Sequence, residues 1–259
     1  MPPPSLPALS DLWIRRFRPR PEARIRLLCF PHAGGSAPYF APLARSPGLP
    51  AEVEVLAVQY PGRQERRKER LVDSLPELAD HVSSVLDPFA DRPLVFFGHS
   101  MGAALAFEVA QRLAGRSDNV PRWLFVSGRR APSRFRPGTN HLLSDAGIAD
   151  ELRRAGGTEP VFLDDPELLA EIIPVVRNDY RAIETYRWVP APPLGCPITA
   201  LVGDRDPQTT LDEAAAWRQH TSAPFDLKSF SGGHFYLNAH QQGVVEVVSA
   251  ALRDVARQA

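Results

Sequence analysis

The pentapeptide Gly98-His99-Ser100-Met101-Gly102 sets a serine between two glycines. A serine hydroxyl is a poor nucleophile until a base takes its proton, so this chemistry needs a histidine, and an acid to hold the histidine. Glycines on both flanks suit a turn so tight that Cβ atoms there would collide with neighbouring elements. The pentapeptide lies between the apolar run Leu94–Phe97, which reads as a strand, and the helix formers Ala103–Leu113. Strand, turn and helix in that order make Ser100 the nucleophile of an α/β-hydrolase elbow. The helix N-terminus behind it brings a positive dipole end near a developing anion.

Seven histidines compete for the role of base. In this fold the chain order is serine, acid, histidine. His234, in the loop Ser231–Phe235 after the strand-like Phe225–Phe230, fits that order. His81 on a helix, His141 in a helical stretch, His220 near a helix end and His240 near a helix start read as surface residues. His99 adjoins Ser100, but the elbow turns its side chain elsewhere. The acid should follow the strand-like Ile198–Val202, where Gly203-Asp204-Arg205-Asp206 offers two aspartates. Asp206 reaches further toward the histidine loop and is favoured; Asp204 reads as a turn former. An oxyanion needs two backbone N–H groups. One is that of Met101, after the nucleophile; the other comes from the loop after an early strand, where Ala33 is the candidate.

Other elements must position these residues. Ile25–Phe30 and Glu52–Val58 read as strands, as does Trp123–Val126. Apolar residues recur at helical spacing from Leu75 to Leu86, and Leu211–His220 and Gln241–Val255 also read as helices. Strands alternating with helices predict an α/β fold, with a mostly parallel central sheet flanked by helices. Between Arg129 and Tyr186 no clear strand appears. Helical patterns over Ser144–Arg154, Pro166–Val176 and Asn178–Tyr186 take its place. The expected organisation is a hydrolase core from residues 1–128 and 187–259, with a helical lid inserted at 129–186.

Composition narrows the function further. The 30 basic and 30 acidic residues cancel, which argues against a nucleic-acid binder. No apolar run is long enough to span a bilayer. The start, Met1–Pro7, lacks the basic and apolar regions of a signal peptide, so a cytoplasmic location is expected. Cys29 and Cys196 form no framework of bridges, and Cys29 reads as a buried filler. Arginines cluster at Arg63–Arg70 and at Arg129, Arg130, Arg134 and Arg136, both after expected strands.

Five motifs then combine in order: Phe30-Pro31-His32-Ala33-Gly34-Gly35, Gln59-Tyr60-Pro61-Gly62-Arg63, Phe97–Gly102, Gly203–Asp206 and Gly232-Gly233-His234-Phe235. Together they resemble the type II thioesterases of polyketide and nonribosomal peptide biosynthesis. The resemblance runs from about residue 25 to 255 and includes the helical stretch, in Leu152–Thr158 and Arg177–Tyr186. It implies a catalytic Ser100, Asp206 and His234. It also implies hydrolysis of stalled or wrong acyl groups from carrier-protein domains, whose phosphopantetheine arm belongs to the substrate. No metal or bound cofactor is implied. A medium-chain fatty acyl thioesterase and a general carboxylesterase are the rival enzymes. A catalytically silent hydrolase fold that binds a ligand or partner is the rival from another class.

Overall fold

The computed structural model describes residues 6–116, 120–158 and 160–258. Among these residues seven strands form one sheet: β1 (Ile14–Arg16), β2 (Ile25–Phe30), β3 (Val53–Val58), β4 (Leu94–His99), β5 (Trp123–Ser127), β6 (Ile198–Gly203) and β7 (Phe225–Phe230). Their order across the sheet is β1-β3-β2-β4-β5-β6-β7. Only β1 runs antiparallel; the other neighbours pair in parallel. Every residue of β2, β3, β4 and β6 is buried. Such continuous burial is what a parallel strand acquires when helices cover both faces.

The helices are α1 (Leu6–Trp13), α2 (Ala41–Arg45), α3 (Leu75–Ser84), α4 (Met101–Ala114), α5 (Asp145–Ala155), α6 (Pro160–Asp164), α7 (Pro166–Thr185), α8 (Leu211–Ala215), α9 (Tyr236–Ala239) and α10 (Gln241–Gln258). One face of the sheet buries Leu28, Leu56 and Phe96 against α3 and α4. The other buries Leu27, Val55 and Phe97 against α10. Cys29 lies in this second core, and burial pushes its thiol well up, as suits a filler. Among the described residues no helix is long and apolar enough to cross a membrane.

The parallel register pairs Phe30 with Gly98, His99 with Ser127 and Gly203 with Phe230, so these strands end nearly level. From β2 the chain steps to β3 on one side and returns to β4 on the other. The loops after β2 and β4 therefore diverge, leaving the crevice where open α/β sheets place their sites.

Between β5 and β6 the described residues hold no strand; α5, α6 and α7 fill the interval. They have a small core of their own, formed by Ile148, Leu152, Leu163, Ile173 and Val176. The two patterns expected at Pro166–Val176 and Asn178–Tyr186 are one helix, α7, with Pro174 inside it. A proline there removes one helical hydrogen bond. The helix continues because both halves are packed: Ile173 and Val176 against α5 and α6, Ile183 against the sheet core. The N-terminal edge adds a strand that no apolar run in the sequence marks. β1 is three residues long and acquires its structure by pairing with Leu56–Val58.

Candidate active site

The chain leaves β4 at His99 and enters α4 at Met101, with Ser100 alone between them. Ser100 takes φ 55° and ψ −119°, a strained conformation that a non-glycine residue keeps only when its surroundings over-determine it. A Cβ on Gly98 would stand 2.2 Å from the carbonyl oxygen of Gly102, and one on Gly102 2.0 Å from that of Phe30. Both glycines are thus required by close backbone approach. The second contact also sets the end of β2 directly against the elbow.

His234 arrives from the loop after β7. Its Nε2 lies 2.8 Å from Ser100 Oγ, and its Nδ1 lies 2.8 Å from Asp206 Oδ2. An ionised carboxylate can only accept, so the proton belongs on Nδ1 and Nε2 is left to accept from the serine. The other oxygen of Asp206 accepts the Gln208 N–H at 2.8 Å, which fixes the carboxylate plane. Ser100, His234 and Asp206 are 9%, 4% and 7% exposed, so the relay is screened from bulk water. Such a relay can activate a hydroxyl for attack on an acyl carbon. Of the two aspartates after β6, the structure brings Asp206 to His234 and sends Asp204 to the Gly232 N–H, at 2.8 Å.

Met101 is the first residue of α4, so no carbonyl within the helix accepts its N–H. Ala33 opens a turn in which the Gly35 N–H donates to the His32 carbonyl at 2.9 Å. The two candidate oxyanion donors therefore lie on the loop after β2 and at the start of α4, which approach each other at Gly102.

His99 does turn away from Ser100. Its Nδ1 is 2.9 Å from Ser127 Oγ, which is 2.7 Å from the Tyr236 hydroxyl. Its ring lies 5.2 Å from that of His234 and so forms part of the bed beneath the base. Burial holds His99 well below the ordinary histidine range. His32 is buried beside Phe235, its ring 4.8 Å away, and burial pushes it down to about 3.

The surface reading fails for His220. It is 3% exposed, and burial pushes it down to about 4. The 3-10 turn Ala216–His220 folds the ring against Phe107, and Nε2 lies 3.0 Å from Ser133 Oγ. His141 is partly buried, with Nδ1 2.6 Å from the Glu184 carboxylate. His81 is half-exposed and stacks on Trp13.

The arginine clusters also divide. Arg63 and Arg66 are buried and paired internally, with Asp179 and Glu69. Arg67 and Arg70 remain exposed. Arg130 donates to the Gln208 carbonyl at 2.7 Å, while Arg134 and Arg136 are exposed. Burial and the neighbouring Arg130 charge push Arg129 down to about 9.

A cavity of about 420 Å³ opens between the end of α5, α6 and Asn238. Gly157 on its wall abuts Phe235, the neighbour of His234, where a Cβ would meet Phe235 Cζ at 2.1 Å. This contact joins the helical insertion to the histidine loop across about 80 residues, so no local pattern in the sequence announces it.

A family model for the thioesterase domain matches residues 25–252. The chain is 51% identical over 230 residues to the thioesterase PikA5 of Streptomyces venezuelae, covering 88% of this chain and 81% of that one. Among solved structures, the type II thioesterase BorB from the borrelidin biosynthetic cluster matches with a TM-score of 0.85 at 48% identity, covering 93% of this chain and 98% of BorB. The thioesterase RedJ from the prodiginine pathway in Streptomyces coelicolor matches with a TM-score of 0.82 at 38% identity, covering 88% and 90%. With a serine, histidine and aspartate in hydrogen-bonded order on this sheet, the chain belongs to the thioesterase family, as a serine hydrolase of α/β-hydrolase fold that acts on thioesters.

Proposed function

We propose that this thioesterase is an editing enzyme. It removes stalled or aberrant acyl groups from the phosphopantetheine arm of carrier-protein domains in a polyketide or nonribosomal peptide synthase. The observation that carries the reading is the relay of Ser100, His234 and Asp206, closed at 2.8 Å on both sides of the imidazole. Similarity to thioesterases named for borrelidin and prodiginine pathways supports the synthase setting. A cytoplasmic location goes with it.

In the first half-reaction, Ser100 Oγ attacks the thioester carbonyl carbon while His234 Nε2 takes the hydroxyl proton. The carbonyl oxygen becomes an oxyanion, received by the N–H groups of Met101 and Ala33. The C–S bond then breaks, and the arm leaves as a thiolate that takes the proton from His234. Thiols have a pKa of about 8.5, so departure needs little help from an acid. The acyl group now rests on Ser100 as an ester. Water attacks it, His234 takes a proton from the water and returns it to Ser100, and the free acid departs. Asp206 holds the imidazole in the tautomer both halves require. These steps use only side chains, backbone and water. The insertion at 129–186 serves as the lid over this chemistry.

The test is a carrier protein loaded with an acyl group on its arm, followed by intact mass. Wild type should return the carrier to its free-thiol mass, and Ser100→Ala should not. Hydrolysis of simple oxygen esters with no effect on the acyl carrier would favour a carboxylesterase instead. No turnover of either, with no labelling by a fluorophosphonate, would favour a silent binding protein.

A further inference from the structure

Two motifs take no part in the relay: Gln59–Arg63 after β3, and Arg177–Tyr186, which spans the end of α7 and its cap. The fold nevertheless brings them together, and their buried ion pair joins residues 116 positions apart, Arg63 and Asp179. We propose that Asp179 and Arg63 are positioning residues for the oxyanion, which tie the loop carrying Ala33 to helix α7 of the lid.

The geometry is specific. Asp179 Oδ2 accepts the Gly34 N–H at 2.8 Å and also pairs with Arg63 Nη2. Arg63 Nε donates to the Gly35 carbonyl at 3.0 Å, and its Nη1 donates to the Pro61 carbonyl at 2.8 Å. One ion pair therefore holds a polar group on each glycine that follows Ala33. Gln59 Oε1 accepts the Ala37 N–H at 3.0 Å and extends the hold along the loop. Asp179 is 1% exposed and Arg63 8%, so the pair is desolvated and neither charge has water to fall back on.

Packing reinforces the tie. Gly34 has φ +76°, and a Cβ there would stand 2.6 Å from Val176 Cγ2. The loop is thus seated against α7, and only glycine fits. Oxyanion donors contribute when they are aimed at the place where charge develops, and small misplacements are costly. The Gly34 N–H belongs to the peptide next to that of the Ala33 N–H. Holding the first limits rotation of the second. The same anchoring, with the Asn178 side chain donating to the Val72 carbonyl at 2.8 Å, makes the second half of α7 a fixed post. Motion of the lid then falls to α5 and α6.

The inference rests on the proposed reading of Ser100 and Ala33. Hydrolysis by wild type and its loss in Ser100→Ala test that reading separately. The first arm uses the unaltered protein. In amide exchange, Gly34 and residues 178–183 should be protected as strongly as β4, with α5 and α6 exchanging faster. Rapid exchange at Gly34 and across 178–183 would overturn the proposal, whatever the variants do.

The second arm compares Asp179→Asn with the apolar double variant Arg63→Met/Asp179→Leu, which removes both charges and leaves no unpaired ion. Octanoyl-N-acetylcysteamine is the substrate and octylboronic acid the mimic of the tetrahedral oxyanion. In both variants kcat should fall about ten- to a hundredfold, with KM within about threefold of wild type. Boronate affinity should fall in parallel with kcat/KM. A clamp that only stabilises the fold would lower the melting temperature and leave kcat and boronate affinity unchanged in folded protein. That outcome would overturn the assignment.

Discussion

The backbone N–H of Ser100 donates to the carbonyl of Ser127 at 2.8 Å. Ser100, strained at φ 55°, is held in place by the end of the neighbouring strand. The same residue of β5 supports the histidine bed from its other end, since its hydroxyl bridges His99 and Tyr236. β5 contributes no reacting atom to the relay, yet it fixes both the serine and the ground beneath the base.

Strain at Ser100 gives a prediction with two readouts. Ser100→Ala and Ser100→Gly should both lose turnover. A non-glycine residue in this region costs about 1–3 kcal/mol, whereas glycine adds about 0.5–1 kcal/mol of chain entropy to lose on folding. Ser100→Gly should therefore be at least as stable as Ser100→Ala in urea melts. A glycine variant clearly less stable than the alanine variant would mean that the elbow is not strained. Turnover retained by either folded variant would remove Ser100 from the mechanism.

The two aspartates after β6 should separate cleanly. Asp206→Asn leaves an amide facing His234 Nδ1, which favours the wrong tautomer, and a loss of about 10⁴-fold in kcat is expected by analogy with a serine protease. Asp204→Asn keeps an oxygen able to accept the Gly232 N–H, so its loss should stay under about tenfold. Side-by-side kcat values decide. Asp204→Asn being the more damaging would reverse the assignment.

Buried neutral histidines should make the fold acid-sensitive. His220 is held down at about 4, His32 at about 3, and His99 lies well below its ordinary value, all chiefly through burial. In the unfolded chain each would protonate near pH 6.5. Below that pH the unfolded state binds more protons, so this part of the stability is complete above about pH 6.5 and is lost as pH falls. Each such histidine contributes a slope of up to about 1.4 kcal/mol per pH unit. Urea midpoints should fall steadily between about pH 6.5 and pH 5. Level midpoints across that window would show that these rings are not neutral and buried.

The carrier protein should matter beyond the acyl group it bears. Arg63 and Arg66 are committed internally, which leaves Arg67, Arg70 and Arg134 as exposed cations on the segments after β3 and β5. Guanidinium groups suit acidic surfaces and phosphate alike. Reversing Arg67 and Arg134 to glutamate should lower kcat/KM for the carrier-bound acyl group and spare a short pantetheine thioester. The carrier's advantage in wild type should shrink with added salt. Equal efficiency on carrier and mimic, with no salt dependence, would make these arginines solvated surface only.

What was legible in the sequence was local. The elbow declares itself because strand, tight turn and helix fall within about twenty residues, and glycine is the only residue that tolerates such backbone approach. Chain order picks out His234, and reach from the strand end picks out Asp206 over Asp204. The alternation of apolar runs yields the parallel sheet. Tertiary structure decided the rest. His220 is buried because a 3-10 turn folds it onto Phe107, a contact that helical periodicity cannot announce. Two segments read as separate helices form one, because packing on both halves outweighs the hydrogen bond that Pro174 removes. Arg63 looked like one cation among many, and Asp179 like one carboxylate on a helix. They meet because β3 lies beside β2, and α7 crosses the loop that β2 releases. Local conformation follows from a residue and its near neighbours, whereas a buried ion pair follows from which surfaces the whole chain brings together and closes to water.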